Sequence, residues 1–284
     1  MAAEFSNIKA IAFDLDLTVI PAGGDLSERT KQAFKAAAEK GLVFIPASGR
    51  PYIAIPDSIR NLPNAPYCIT SNGAAVVDQK TGEPAQSWPM VATDVRHIMR
   101  AVSTYFLEGQ ITYECFVKGI GYASADLLQY PEQFRIPVTA ARYMCETRRP
   151  ERYMVDFIYE HAKEMDALDL ILKDPGLYRM IETAVKRTAP DVYITHNVPY
   201  RMEISSKESG KDTGILWAAK QLGISPEEIL AFGDADNDVG MLQNAGIGVA
   251  LKNAAAECRE AADYVTDLTC EEDGAAAFIE EHLL

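Results

Sequence analysis

The sequence predicts an α/β protein: a doubly wound, Rossmann-like parallel sheet interrupted by an inserted α+β domain. Apolar runs of strand length alternate with amphipathic stretches at both ends of the chain, several of those runs end in clustered polar or acidic residues, and the middle of the chain differs in texture. In such sheets ligands bind beyond the carboxyl ends of the strands, so the residues that terminate each run are the first places to look for chemistry.

The first strand is expected at 8–13, from the run Ile8-Lys9-Ala10-Ile11-Ala12-Phe13. A helix follows over 27–40, closed by Gly41, then a strand at 42–46, a helix near 52–61 and a strand at 66–70. From about 84 to 197 aromatic and β-branched runs at 110–117 and 153–159 mix with helical segments near 92–107 and 163–173, which defines the α+β insert. Within it Arg142, Arg148, Arg149 and Arg152, interleaved with Tyr143 and Tyr153, form a basic cluster that reads as a solvated loop beside a strand or as a contact for an anionic or ring-bearing ligand. The βα rhythm then resumes with an amphipathic stretch over 211–223. Ser225-Pro226-Glu227-Glu228 supplies an N-cap, a proline at the first helical position and a capping-box Glu, and leads into a strand at 229–232. A helix near 237–244, a strand at 247–250, a helix near 253–261 and a strand at 264–266 complete the core, which is therefore expected at 1–83 and 198–284, with the insert at 84–197.

Composition narrows the function classes. The 284 residues suffice for one large domain or two ordinary ones, and 48% hydrophobic content fills a substantial core. A net charge of −14 argues against general nucleic-acid binding and against attraction to an anionic membrane. No segment has the roughly 20 apolar residues of a membrane span, and residues 1–9 lack the regions of a signal peptide, so the expected location is the cytoplasm. Five scattered cysteines without a Cys-x-x-Cys pair read as reduced thiols, and four histidines without a Gly-x-Ser-x-Gly elbow or His-Glu-x-x-His helix weaken any Ser-His or zinc-hydrolase reading.

The chemistry sits at strand ends. Asp14-Leu15-Asp16-Leu17-Thr18 closes the first run with two carboxylates and a hydroxyl. Positions i and i+2 of a strand share a face, and two carboxylates about 4 Å apart repel by about 4 kcal/mol at a near-surface dielectric, so a divalent cation or a proton must offset them. The run at 229–232 leads into Gly233-Asp234-Ala235-Asp236-Asn237-Asp238. A calcium loop would place Gly and Glu where Val239 and Ala245 stand, so magnesium, which needs only one or two carboxylates plus phosphate and water, fits better. The third run ends in Ser48-Gly49-Arg50, a hydroxyl, a glycine and a guanidinium able to bond phosphate oxygens. Lys211, after Ser209-Gly210, opens a helix and suits a bound phosphate; Lys207, four residues upstream, competes for that role.

Together these motifs resemble the haloacid dehalogenase (HAD) superfamily of phosphatases. Asp14, Asp16 and Thr18 match its first motif, Ser48 its second, Lys211 its third, and Gly233, Asp234, Asn237 and Asp238 its fourth, in that order. Thr70-Ser71-Asn72-Gly73-Ala74, the insert, and Ala262-Asp263-Tyr264-Val265-Thr266 resemble the Cof-like branch with a type IIB cap. The resemblance implies a Mg2+-dependent phosphatase of small phosphorylated metabolites, sugar phosphates or phosphorylated cofactors, acting through an aspartyl-phosphate, with 84–197 as the cap that selects substrate. It implies Asp14 as nucleophile, Asp16 as general acid and base, and Lys211 as the catalytic lysine. Thr18, Ser48, Gly49, Arg50, Asn72 and Lys211 would surround the phosphate, and Asp14, Asp16, Asp234, Asn237 and Asp238 the metal. A phosphomutase and a catalytically weak phospho-ligand binder remain the alternatives, and the sequence carries no signal for an oligomeric state. One position departs from the pattern: Leu17 stands where the family usually has glycine, which costs backbone freedom beside Asp16.

Overall fold

The computed structural model describes residues 5–22, 24–105, 109–195 and 198–284. The chain divides into two compact units, the first comprising Met1–Arg50, Ile55–Gln86 and Gly210–Leu284, the second Pro51–Ala54 and Ser87–Ser209.

The first unit is built on an eight-stranded sheet. Its order is Tyr264–Val265, Ile247–Ala250, Ile229–Gly233, Ala10–Asp14, Val43–Ala47, Tyr67–Thr70, Ala75–Asp78 and Pro84–Ser87. The first six are parallel, and Ala75–Asp78 turns back antiparallel on Tyr67–Thr70. Every residue of Ala10–Asp14 and Ile229–Gly233 is buried, as expected of central strands covered on both faces. Phe13, Phe34 and Phe44 pack against one another beneath helix Glu28–Glu39, with ring centroids 4.9 to 6.2 Å apart. That helix starts at Ser27, whose side chain accepts from the Thr30 N–H at 3.0 Å, and the chain leaves it through Gly41 at φ +88°. Register places Phe13 opposite Phe232 and Asp14 opposite Ala47, so residues 14, 48 and 234 lie at the carboxyl edge of three adjacent strands.

The second unit carries a six-stranded sheet in the order Val192–Thr195, Arg201–Ser206, Met165–Leu172, Ile111–Val117, Ile120–Ser124 and Arg148–Glu151. It is antiparallel except for the last pair. One face packs on helices Ala92–Tyr105, Met154–Glu160 and Tyr178–Thr188 through Val95, Ile98, Ile158, Leu168, Ile181 and Met202, among others.

Several local expectations are corrected. In place of the helix expected near 163–173, Met165–Leu172 is a strand with all eight residues buried. Its apolar residues run nearly without alternation because both faces are covered, and Asp166 and Asp169 break the run at a spacing that imitates a helix. The 153–159 run, read as strand-like, lies in helix Met154–Glu160, where the aromatic residues sit at helical spacing. The helix expected near 52–61 is split by Pro56 into a 3-10 turn, Tyr52–Ala54, and one α turn, Asp57–Arg60. Helix Ala92–Tyr105 matches its expectation up to the edge of the described residues, and 106 and 107 lie outside them. Of the arginine cluster, Arg148 alone is buried, on Glu114, whereas Arg142, Arg149 and Arg152 are exposed and Arg142 pairs with Glu146. The second boundary falls at Gly210 instead of 198, because Arg201–Ser206 pairs with Met165–Leu172 in the second sheet.

Candidate active site

At the carboxyl edge of the first sheet, Lys211 is the organising charge. It opens helix Lys211–Gln221, is 2% exposed, and its Nζ lies 2.6 Å from Asp14 Oδ1 and 2.7 Å from Asp238 Oδ1. Burial works against its charge, but Asp14 and Asp238 outweigh that and hold the ammonium above its ordinary range. Lys207, the competing lysine, pairs instead with Asp191 at 2.7 Å and belongs to the second unit.

Both oxygens of Asp238 are engaged. Its Oδ2 accepts the N–H groups of Asp234 and Ala235 at 2.9 and 3.1 Å, while Oδ1 takes Lys211. A Cβ on Gly233 would collide with the Asp238 side chain, so only glycine lets the loop fold back this tightly. Asp234 Oδ1 accepts from the Thr18 hydroxyl at 2.8 Å. Burial, followed by repulsion from Asp238, pushes Asp234 up to about 6, and burial pushes Asp14 well above the usual carboxylate range against the pull of Lys211.

Among the described residues, Asp14, Asp234 and Asp238 form a group whose carboxylate oxygens approach within 4.8 Å of one another. Ionised, the three carry three negative charges against the single positive charge of Lys211, so a divalent cation completes neutrality. Asp14 and Asp234 each keep one oxygen that none of these bonds uses, and Asn237 Oδ1 is buried without a hydrogen-bond partner. This all-oxygen donor set suits a hard cation such as Mg2+.

The strand ends at Asp14, so the shared-face geometry expected of Asp14 and Asp16 does not continue: Asp14 is buried, whereas the Asp16 side chain is 51% exposed. Asp16 is met by Arg50, through Nε to Oδ2 at 2.8 Å and Nη2 to Oδ1. Ser48 is 1% exposed, and its hydroxyl accepts the Arg50 N–H at 3.1 Å. Gly49 lies against Asn72, where an added Cβ would stand 3.0 Å from Oδ1. Asn72 Oδ1 accepts from Asn237 Nδ2 at 2.9 Å. Asn253, which carried no local signal in the sequence, donates through Nδ2 to the Leu17 carbonyl at 2.9 Å and pins the loop after Asp16.

A buried ammonium on a carboxylate, flanked by further acids at a parallel sheet's carboxyl edge, is a setting for transfer of an anionic group. The chain belongs to the haloacid dehalogenase-like hydrolases, whose family model matches residues 11–279, and it is an enzyme of that family. It is 25% identical over 276 residues to a putative phosphatase of Haemophilus influenzae, covering 96% of this chain and 97% of that protein. It is 23% identical to the 5-amino-6-(5-phospho-D-ribitylamino)uracil phosphatase YcsE of Bacillus subtilis, covering 99% and 98% of the two chains. Its fold is shared with a solved HAD subclass IIB sugar phosphatase, at a TM-score of 0.77 and 24% identity over 96% of this chain and 98% of the other.

Proposed function

We propose that the protein is a Mg2+-dependent phosphomonoesterase that hydrolyses small phosphorylated metabolites through an aspartyl-phosphate on Asp14. The observation that carries this reading is the buried Lys211 ammonium held on Asp14 and Asp238 inside a group of three carboxylates. A carboxylate attacking a phosphate brings negative charges together, and only fixed positive charge lowers that barrier.

Asp14 attacks phosphorus through a carboxylate oxygen; the new O–P bond forms as the bond to the leaving oxygen breaks. Asp16 delivers a proton to that oxygen, then takes one from the water that attacks the aspartyl-phosphate, releasing inorganic phosphate and restoring Asp14. Lys211 balances the transferring group, while Ser48, Gly49 and Arg50 hold its oxygens, with Asn72 behind Gly49. Thr18 fixes Asp234. Mg2+, held by Asp14, Asp234 and the Asp16 main-chain carbonyl with Asn237 beside them and Asp238 behind, would supply charge neutralisation of the phosphoryl oxygens.

For substrate we assign sugar phosphates or phosphorylated cofactors, supported by the phosphorylated ribitylamino compound named for one relative. Selection of the leaving group belongs to the second unit, acting as the cap. Among the described residues no helix is long and apolar enough to cross a membrane, and the acidic chain suits action on small metabolites in the cytoplasm. A screen of phosphorylated metabolites with Mg2+, run beside Asp14→Asn, tests the proposal. The expected result is turnover of one or more sugar or cofactor phosphates, abolished by chelator, restored by Mg2+ and absent from the variant. Unaltered turnover in chelator, or full activity of Asp14→Asn, would overturn it.

A further inference from the structure

The turn between strands Tyr67–Thr70 and Ala75–Asp78 takes an unusual path: Ser71, Asn72 and Gly73 adopt φ of +50°, +54° and +88° in succession. Two consecutive non-glycine residues in the left-handed region are costly, on the order of 1–2 kcal/mol each, and such strain persists where surrounding contacts over-determine it. Here they do. The Ser71 N–H donates to the Arg50 carbonyl at 3.0 Å and the Asn72 N–H to the Ser48 carbonyl at 3.1 Å. Gly73 is pressed so closely against Gly210, the residue before Lys211, that a Cβ would overlap its carbonyl. Asn72 Oδ1 accepts from Asn237 Nδ2 at 2.9 Å, with both side chains buried. One turn thereby touches the loops that carry Ser48, Lys211 and Asn237.

Asn237 is the informative contact. An amide offers a donor end and an acceptor end; Asn72 occupies the donor end, and Oδ1 is left buried with no hydrogen-bond partner. We propose that Asn72 is a positioning residue for the cation: by holding Asn237 Nδ2 it fixes the amide with Oδ1 as the atom presented for a metal or its bound water. This rests on the metal reading above and deepens it. Removing an outer partner that orients a metal ligand typically weakens metal affinity about 10–100-fold.

The experiment is titration calorimetry of Mg2+ into substrate-free protein, with thermal melts in chelator as a check on folding. Asn72→Gly keeps the left-handed backbone but removes the acceptor, and should weaken Mg2+ binding about tenfold or more. Asn72→Asp keeps an acceptor for Asn237 and tolerates the same backbone, and should bind Mg2+ at least as tightly as the wild type. Asn72→Gly binding Mg2+ like the wild type, or Asn72→Asp losing affinity as the glycine variant does, overturns the proposal. If the glycine variant melts early, the aspartate variant decides alone, with affinity kept in favour and affinity lost against. A wild type that takes up no Mg2+ would fail the metal reading itself, an outcome distinct from equal binding by wild type and Asn72→Gly.

Discussion

Arg50 grips the Asp16 carboxylate through both oxygens, Nε on Oδ2 and Nη2 on Oδ1. Besides the phosphate contact proposed for it, Arg50 in this position would orient the residue proposed as acid and base. A planar guanidinium in a two-point contact fixes a carboxylate's direction in a way an ammonium does not. Arg50→Ala and Arg50→Lys should therefore both lower kcat by about 10-fold or more, with the 10²–10⁴-fold contribution of general acid–base catalysis as the ceiling. If Arg50 acts through Asp16, adding Arg50→Ala to Asp16→Asn should cost almost nothing further. Steady-state kinetics of the double-mutant cycle checks this; additive losses would assign Arg50 to phosphate alone.

Leu17 holds φ +62° and is 43% exposed, so it bears left-handed strain without being a core residue. Leu17→Gly should raise stability by about 0.5–1 kcal/mol, the relief of strain exceeding the added freedom of the unfolded chain. Urea unfolding reads the change. A loss of stability would mean that the leucine side chain makes contacts worth more than the strain.

The parts of the site that were legible in the sequence are those fixed by local order: an apolar strand followed at once by Asp14, by Ser48 or by Gly233-Asp234. Burial of those strands and their parallel register then carry the ends to one edge. Contacts made across that edge left no such trace, and so the pairing of Arg50 with Asp16 and of Asn72 with Asn237 emerged only from the folded chain. In the second unit, Met165–Leu172 reads as helix in the sequence because a strand buried on both faces loses its alternation, and two buried aspartates supply a false helical period.

One of those aspartates makes the second sheet pH-sensitive. Asp166 accepts the Gly119 N–H at 2.7 Å, yet burial pushes it up to about 6 from 3.8. The unfolded chain releases this proton near 3.8 while the folded chain keeps it until about 6, so its contribution to stability is full below that window and is lost as pH rises through it. The loss is on the order of 2–3 kcal/mol. Asp166→Asn can still accept the Gly119 N–H and has no such titration. Urea melts across this window should show wild-type stability falling relative to the variant as pH rises, then a constant difference above about 7. A difference independent of pH would contradict the assignment.

The most direct measurement is rapid acid quench of the enzyme turning over a substrate found in the metabolite screen, followed by mass spectrometry of its peptides. The account predicts the added mass of one phosphoryl group on the peptide carrying Asp14, labile to base and absent from Asp14→Asn. A phosphoryl group found on a different residue, or Asp14→Asn turning over at the wild-type rate, would contradict it.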